Sequence, residues 1–163
     1  MRLTDIEFDQ DSVLCLLREA GALARSYFGR VTPQRKKDNS VVTEADRAVE
    51  ALVRRNLEKM TPGFQVLGEE AGFGGGKENG APSWVLDPVD GTSAFASGLP
   101  VWVVSLGLVE KGRAVWGGVY CPLTDELIHT DLRGGVRPNG GDFAAEKPAP
   151  FDCQSVLYVP SAV

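Results

Sequence analysis

The chain has 163 residues, of which 43% are hydrophobic and 24% are charged, and its formal net charge is −5 with a pI near 4.9. This length predicts a single domain, residues 1–163, large enough to bury about 70% of the surface of its unfolded chain. The acidic balance makes nucleic acid a poor candidate partner, and no apolar run approaches the ~18 residues that would predict contact with a membrane interior.

Two features predict a cytoplasmic location. The segment Met1–Gln10 carries three acidic residues and lacks the basic and then apolar pattern of a secretory signal. The three cysteines are widely spaced and form no CxxC pair, so we predict reduced thiols and no disulfide framework.

Two amphipathic helices are predicted in the first sixty residues. Apolar residues recur at helical spacing over residues 12–28, with Asp11 or Ser12 as the N-cap. A second helical stripe covers residues 44–60, and Thr43 is its predicted N-cap.

After the second helix the pattern changes to β-branched and aromatic runs bounded by Gly, Pro and Asp. Strands are predicted at residues 65–67, 84–86, 101–109, 113–120, 126–130 and 156–159. The turn Glu110-Lys111-Gly112 indicates a hairpin, and the glycine-rich stretch 72–80 is predicted to be a loop. The order of elements predicts an α+β fold, with helices packed on a mainly antiparallel sheet.

The strongest chemical signal is the hexapeptide Asp87-Pro88-Val89-Asp90-Gly91-Thr92, preceded by the pair Glu69-Glu70. Two carboxylates lie three residues apart around a proline, and a third arrives from upstream. Mg²⁺ prefers a few carboxylates together with water and substrate oxygens. We therefore predict a metal site formed by Glu69, Asp87, the Val89 carbonyl and Asp90.

The residues that follow can bind an anionic substrate. The N–H groups of Gly91, Thr92 and Ser93 can bind phosphate oxygens, and the Thr92 hydroxyl can position an attacking water. Cations that neutralise an ester, beside a water made nucleophilic, are the requirements of phosphate ester hydrolysis. Taken singly, each acidic residue could instead be a turn former or part of a solvated loop; their conjunction favours a metal-dependent phosphatase.

Two other acidic motifs fit the sequence poorly. An EF-hand loop needs ligands at alternate positions between two helices, whereas strands flank this motif. An aspartyl nucleophile of the haloacid dehalogenase type lies in a D-x-D-G-T run, where both carboxylates face one side of a strand. The extra residue in D-x-x-D-G-T removes that arrangement, so a covalent phosphoenzyme is disfavoured.

The run Trp84–Thr92, with Gly68-Glu69-Glu70 before it, resembles the first signature of the inositol monophosphatase family. The similarity continues upstream through Lys37-x-Asn39-Ser40-x-Val42-Thr43-x-Ala45-Asp46 and downstream into residues 103–108. The resemblance implies a lithium-sensitive phosphatase that uses two or three Mg²⁺ ions to hydrolyse a small phosphomonoester. It also implies the first part of a five-layer αβαβα sandwich.

Metal-ligand roles follow from this resemblance position by position. Glu69, Asp87 and the Val89 carbonyl would bind the first metal, and Glu69 would also contribute to catalysis. Asp87 would bridge to a second metal that Asp90 also binds. Glu70 would support these ligands from outside.

The resemblance also implies that Asp46 and Thr92 activate the nucleophilic water. A structural alternative exists for Asp46, which stands three residues after Thr43 and could simply cap the second helix. Lys36 or Lys37 would lie beside the site, and we predict that it is Lys37.

The sequence departs from the family in one respect. A second signature, Trp-Asp followed by small residues, supplies another metal-binding aspartate in the family and is absent here. We expect a truncated, N-terminal portion whose uncovered sheet face favours a homodimer or a partner segment. The rival hypothesis is a catalytically incomplete metal- or phosphate-binding fragment, or an inactive paralogue acting as an interaction module. The sequence does not specify the ester.

Overall fold

The computed structural model describes residues 6–37, 39–75, 80–131 and 135–139. Helix α1 covers Gln10–Tyr27 and helix α2 covers Glu44–Met60, as the two apolar stripes predict. The predicted N-cap of α1 is wrong. Asp9 caps the helix, because its carboxylate accepts hydrogen bonds from the Ser12 amide at 3.2 Å and the Ser12 hydroxyl at 2.6 Å.

Seven strands form one sheet in the order β4-β3-β5-β6-β7-β8-β9, and neighbours pair antiparallel except for β3 and β5, which are parallel. The strands are β3 Gln65–Gly68, β4 Gly72–Gly75, β5 Ser83–Asp90, β6 Val103–Glu110, β7 Arg113–Cys121, β8 Glu126–Thr130 and β9 Val136–Pro138. A separate two-stranded ribbon pairs β1 Gln34–Arg35 with β2 Val41–Val42. The α+β prediction and the β6–β7 hairpin are confirmed.

Other predictions need correction. The glycine-rich stretch is partly a strand, because β4 needs only backbone groups to pair with β3 at the sheet edge. Strand β5 does not end at Leu86 but continues to Asp90, with a break in its pairing to β6 between Asp87 and Asp90. The short helix α3, Thr92–Ala96, and the strands β1, β2 and β9 were not predicted. The strand predicted at residues 156–159 lies outside the described residues.

Aromatic packing fixes β5 under the helices. The Trp84 ring is fully buried, meets Phe8 and Trp116 edge to face at 5.3 and 5.8 Å between centroids, and donates its Nε1 hydrogen to Thr61 Oγ1 at 3.0 Å. Burial of one large aromatic side chain contributes about 2–3 kcal/mol. Since alternate residues of a strand face opposite sides, Asp87 is directed to the face away from α1 and α2.

That opposite face of the sheet exposes apolar side chains. Val85, Val119, Ile128 and Val136 are between 39% and 47% accessible. The expected association through this face stays a prediction. Among the described residues, no helix is long and apolar enough to cross a membrane, and Cys15 and Cys121 carry free thiols; Cys153 lies outside them.

Candidate metal centre and active site

The parallel pairing of β3 and β5 brings the two acidic motifs together. Gly68 stands opposite Leu86 in this register, so Glu69 leaves β3 at the level where β5 reaches Asp87. Neighbouring strands lie about 4.8 Å apart, so the two carboxylates lie close together at the carboxyl ends of β3 and β5. Residues separated by 18 positions in the sequence thus meet through backbone pairing.

The electrostatics of Asp87 confirm that negative charge is concentrated there. The pKa of Asp87 is raised from 3.8 to about 7, chiefly by burial and then by the charges of Glu69 and Asp90. A hydrogen bond with Glu69 also raises this pKa, and a bond from the Val89 amide opposes the rise. A carboxyl group that resists ionisation beside two other carboxylates is a group that a bound cation would stabilise. The donors are oxygen atoms, as Mg²⁺ prefers.

A lysine already neutralises part of this cluster. Lys36 Nζ donates to Glu69 Oε1 at 3.2 Å and to Glu70 Oε1 at 2.6 Å. Partial burial lowers the pKa of Lys36, but its contacts with the two glutamates outweigh burial and raise it overall. The ammonium therefore stands where a cation is expected. Lys37 is exposed in the same loop, and its place beside the site stays a prediction.

The acidic side chains of the described residues do not converge on one position where they could share a metal ion. Within the part of the chain that the structure describes, no three Asp, Glu, His or Cys side chains stand ready to share one metal ion. Glu69 and Glu70 are turned toward Lys36, and Asp90 is exposed. The residues fit Mg²⁺ by the chemistry of their donors and by the crowding around Asp87, and their side chains would have to turn to bind it.

Asp46 caps α2 and also contacts Thr92, while its part in activating a water stays a prediction. Its side chain is fully buried, and Oδ2 accepts from the Thr43 amide at 2.8 Å and the Thr43 hydroxyl at 2.6 Å, which completes a capping box on α2. The other oxygen, Oδ1, lies 3.2 Å from the Thr92 hydroxyl. That hydroxyl has a second acceptor in the Val89 carbonyl at 2.8 Å. Helix capping and contact with Thr92 use different oxygens of one carboxylate.

The segment after Asp90 turns sharply to begin α3. Gly91 is the N-cap of α3 with φ of 96°, and a Cβ at this position would lie 2.8 Å from the Val101 carbonyl oxygen. Thr92 and Ser93 begin the helix, where N–H groups have no intrahelical partner. Both residues, with Gly91, line an open cavity of about 700 Å³ that also contacts Glu69 and Asp87.

Sequence reasoning missed several residues near this cavity. Arg35 and Ser40 line it, and both belong to the β1–β2 ribbon or its loop. A two-residue strand has no periodicity by which it could be recognised. The nearest signal was the resemblance through Lys37-x-Asn39-Ser40, which includes Ser40 without giving it a role.

The mixed sheet brings Glu69 and Asp87 together beside an open cavity, and comparisons with known proteins assign the family of the chain. A sequence model described as the inositol monophosphatase family matches residues 9–160. The chain belongs to this family.

This chain spans about half of the length of the relatives that it matches. The fructose-1,6-bisphosphatase/inositol-1-monophosphatase of Thermotoga maritima is 34% identical over 132 residues, which are 80% of this chain and 50% of the relative. A histidinol-phosphatase of Mycobacterium tuberculosis is 42% identical over 111 residues, 67% of this chain and 42% of that one. The solved structure of a Thermotoga maritima IMPase superposes with a TM-score of 0.75 at 30% identity, covering 84% of this chain and 53% of that one.

Proposed function

We propose that this chain carries the metal-binding part of a Mg²⁺-dependent phosphomonoesterase that hydrolyses a small phosphate ester. The observation that carries the proposal is the meeting of Glu69 and Asp87 at the parallel strand ends, where burial and negative charge raise the pKa of Asp87 to about 7. Family membership supports it, since the relatives named above are phosphatases.

Mg²⁺ would be held by Glu69, Asp87, the Val89 carbonyl and Asp90, with two or three ions as the family resemblance implies. When bound, such ions neutralise the charge of the ester and lower the pKa of a coordinated water. Lys36 would compete with the ion for Glu69, because its ammonium donates to Oε1 of that carboxylate. Glu70, which binds Lys36 more closely at 2.6 Å, would keep the lysine near the site.

The residues around Thr92 would position the attacking water and the phosphate. When Thr92 donates its proton to Asp46 Oδ1 or to the Val89 carbonyl, the lone pairs of its oxygen can accept a hydrogen from a water molecule. Such a contact would orient the water for attack on a phosphate ester bound in the cavity that Thr92 lines. The free N–H groups at Thr92 and Ser93, with the adjacent Gly91, would bind the phosphate oxygens.

A second candidate is a metal- or phosphate-binding module without turnover. One observation favours it: Lys36 already forms ion pairs with Glu69 and Glu70, at 3.2 and 2.6 Å. The ester stays unassigned under either candidate. A cytoplasmic location and a dimer formed through the exposed sheet face also remain proposals.

Phosphate release from a panel of phosphomonoesters, with and without Mg²⁺, tests the proposal. We expect Mg²⁺-dependent release that is lost in Asp90→Asn, while the far-ultraviolet circular dichroism spectrum is unchanged because Asp90 is exposed. Asp11→Asn, which removes an exposed carboxylate from the first turn of α1, is the matched control and should retain full release. Undiminished release in Asp90→Asn would contradict the assignment. Mg²⁺ binding with no release from any ester would favour the module without turnover.

A further inference from the structure

A buried carboxylate lies directly behind the Glu69–Glu70 turn. Glu50, in the middle of α2, is only 3% exposed. Its Oε2 accepts from the Glu70 amide at 2.8 Å, and its Oε1 accepts from the Ala71 amide at 3.0 Å. Ionisable side chains are seldom buried this deeply unless they are paired, and this one binds the backbone of the segment that carries the predicted metal ligand.

Arg54 completes the arrangement one helical turn later. Its guanidinium donates to Glu50 Oε1 at 3.0 Å, to the Val66 carbonyl at 2.9 Å and to the Gly72 carbonyl at 2.8 Å. Val66 belongs to β3 and Gly72 to β4, the strands on either side of the turn. The Glu50–Arg54 pair therefore ties both arms of the turn to α2 and holds two consecutive amides at its centre.

The same contact explains the glycine that precedes the glutamates. A Cβ on Gly68 would lie 2.2 Å from Glu50 Oε1 and 2.3 Å from its carboxyl carbon. A long side chain could usually move away, but this carboxylate is held by three hydrogen bonds and has little room to do so. Gly68 is thus required by the position of Glu50, and its φ is not among the positive values.

We propose that Glu50 and Arg54 are positioning residues that hold the Glu69–Glu70 turn so that the Glu69 carboxylate meets Asp87 and can bind Mg²⁺. This inference rests on the proposed function. A turn that followed β3 without these bonds would have to be ordered when the metal binds, and that ordering would oppose binding. Loss of groups that orient metal ligands typically costs about 10–100-fold in metal affinity.

A purely stabilising role predicts a different result. The presence of a buried ion pair is weak evidence that it stabilises the fold, but removing one partner of such a pair is destabilising. A variant that only lowers stability should still bind Mg²⁺ normally at temperatures where it stays folded. Metal affinity, measured on folded protein, therefore separates positioning from stabilisation.

The experiment compares Glu50→Gln with Val53→Ala, a control on the same helix that removes buried apolar contacts (Val53 is 1% exposed). Mg²⁺ affinity is measured by titration calorimetry on the full chain, and amide hydrogen exchange by NMR reports the Glu70 and Ala71 amides. We expect Glu50→Gln to weaken Mg²⁺ binding at least about tenfold and to accelerate exchange at these two amides. Val53→Ala should lower the melting temperature and leave Mg²⁺ affinity within about twofold of the unaltered chain.

A second variant keeps the test decisive if Glu50→Gln folds poorly. Gly68→Ala should displace the Glu50 carboxylate and weaken Mg²⁺ binding in the same way. In a Glu50→Ala background the clash is gone, so adding Gly68→Ala should change affinity by less than about twofold.

The possible failures are distinguishable. Mg²⁺ binding that is unchanged in both Glu50→Gln and Gly68→Ala would overturn this inference and leave the proposed function standing. Additive effects of Gly68→Ala and Glu50→Ala would also overturn it. No Mg²⁺ binding by the unaltered chain would overturn the proposed function and this inference with it.

Discussion

Lowering the pH should weaken Mg²⁺ binding through one identified group. Burial, followed by the charges of Glu69 and Asp90, raises the pKa of Asp87 from 3.8 to about 7. Below that pKa the folded, metal-free chain holds a proton on Asp87, which Mg²⁺ must displace. The apparent dissociation constant should therefore rise tenfold for each pH unit below about 7, or about thirtyfold between pH ~8 and pH ~5.5.

The same carboxyl group should make the stability of the metal-free chain depend on pH. Its pKa is higher in the folded chain than the unfolded value of 3.8, so the folded chain binds more protons between these two values. The contribution is fully present below pH ~3.8 and is lost as the pH rises through about 7, with an upper limit of roughly 4 kcal/mol before screening by solvent reduces it. Saturating Mg²⁺ should restore stability above pH ~7, because the ion binds the folded chain.

Titration calorimetry in two buffers of different ionisation enthalpy measures both affinity and proton release. We expect close to one proton released per binding event at pH ~5.5 and about a tenth of a proton at pH ~8. In Asp90→Asn, one of the charges that raise the pKa of Asp87 is gone, so the midpoint of proton release should move to lower pH. Equal affinity at both pH values, without proton release, would refute the reasoning.

Two further substitutions test other parts of the site. Lys36→Met removes an ammonium that competes for Glu69. Because ion pairs near the protein surface contribute about 0.5–1 kcal/mol, the Mg²⁺ affinity measured by calorimetry should rise about two- to fivefold. Weaker Mg²⁺ binding would show instead that Lys36 assists the metal. Gly91→Ala places a Cβ 2.8 Å from the Val101 carbonyl oxygen at a positive φ, so urea denaturation should show a loss of about 2 kcal/mol in the free energy of unfolding. An unchanged denaturation midpoint would contradict that backbone argument.

The parts of the fold that the sequence predicted are those with a strong local signal. Helix α2 begins and ends where its cap and apolar stripe indicate, because Thr43 and Asp46 form a complete capping box. The β6–β7 hairpin follows from a turn in which Lys111 and Gly112 both adopt positive φ. The strand Gly72–Gly75 was missed because its glycines carry no side-chain pattern, and it is stabilised by backbone pairing to a distant partner.

The site was predictable in its residue types and less so in its geometry. Spacing alone indicated that Glu69, Asp87 and Asp90 suit a metal, but their convergence depends on a parallel pairing between β3 and β5. The prediction of a mainly antiparallel sheet does not specify that these two strands pair in parallel. Glu50 gave no signal at all, since a glutamate within a helix is ordinarily a solvated residue, and only the tertiary structure shows that it is buried.

Asp46 shows why a local and a functional explanation of one residue need not compete. A carboxylate has two oxygens, and the capping box engages Oδ2 while Oδ1 meets the Thr92 hydroxyl. The cap fixes the side chain in a fully buried position, so the oxygen that faces Thr92 is held without freedom to turn to solvent. If Asp46 acts on the water through Thr92, the bonds that cap α2 are also what orients it. The structural interpretation is then a condition of the catalytic one.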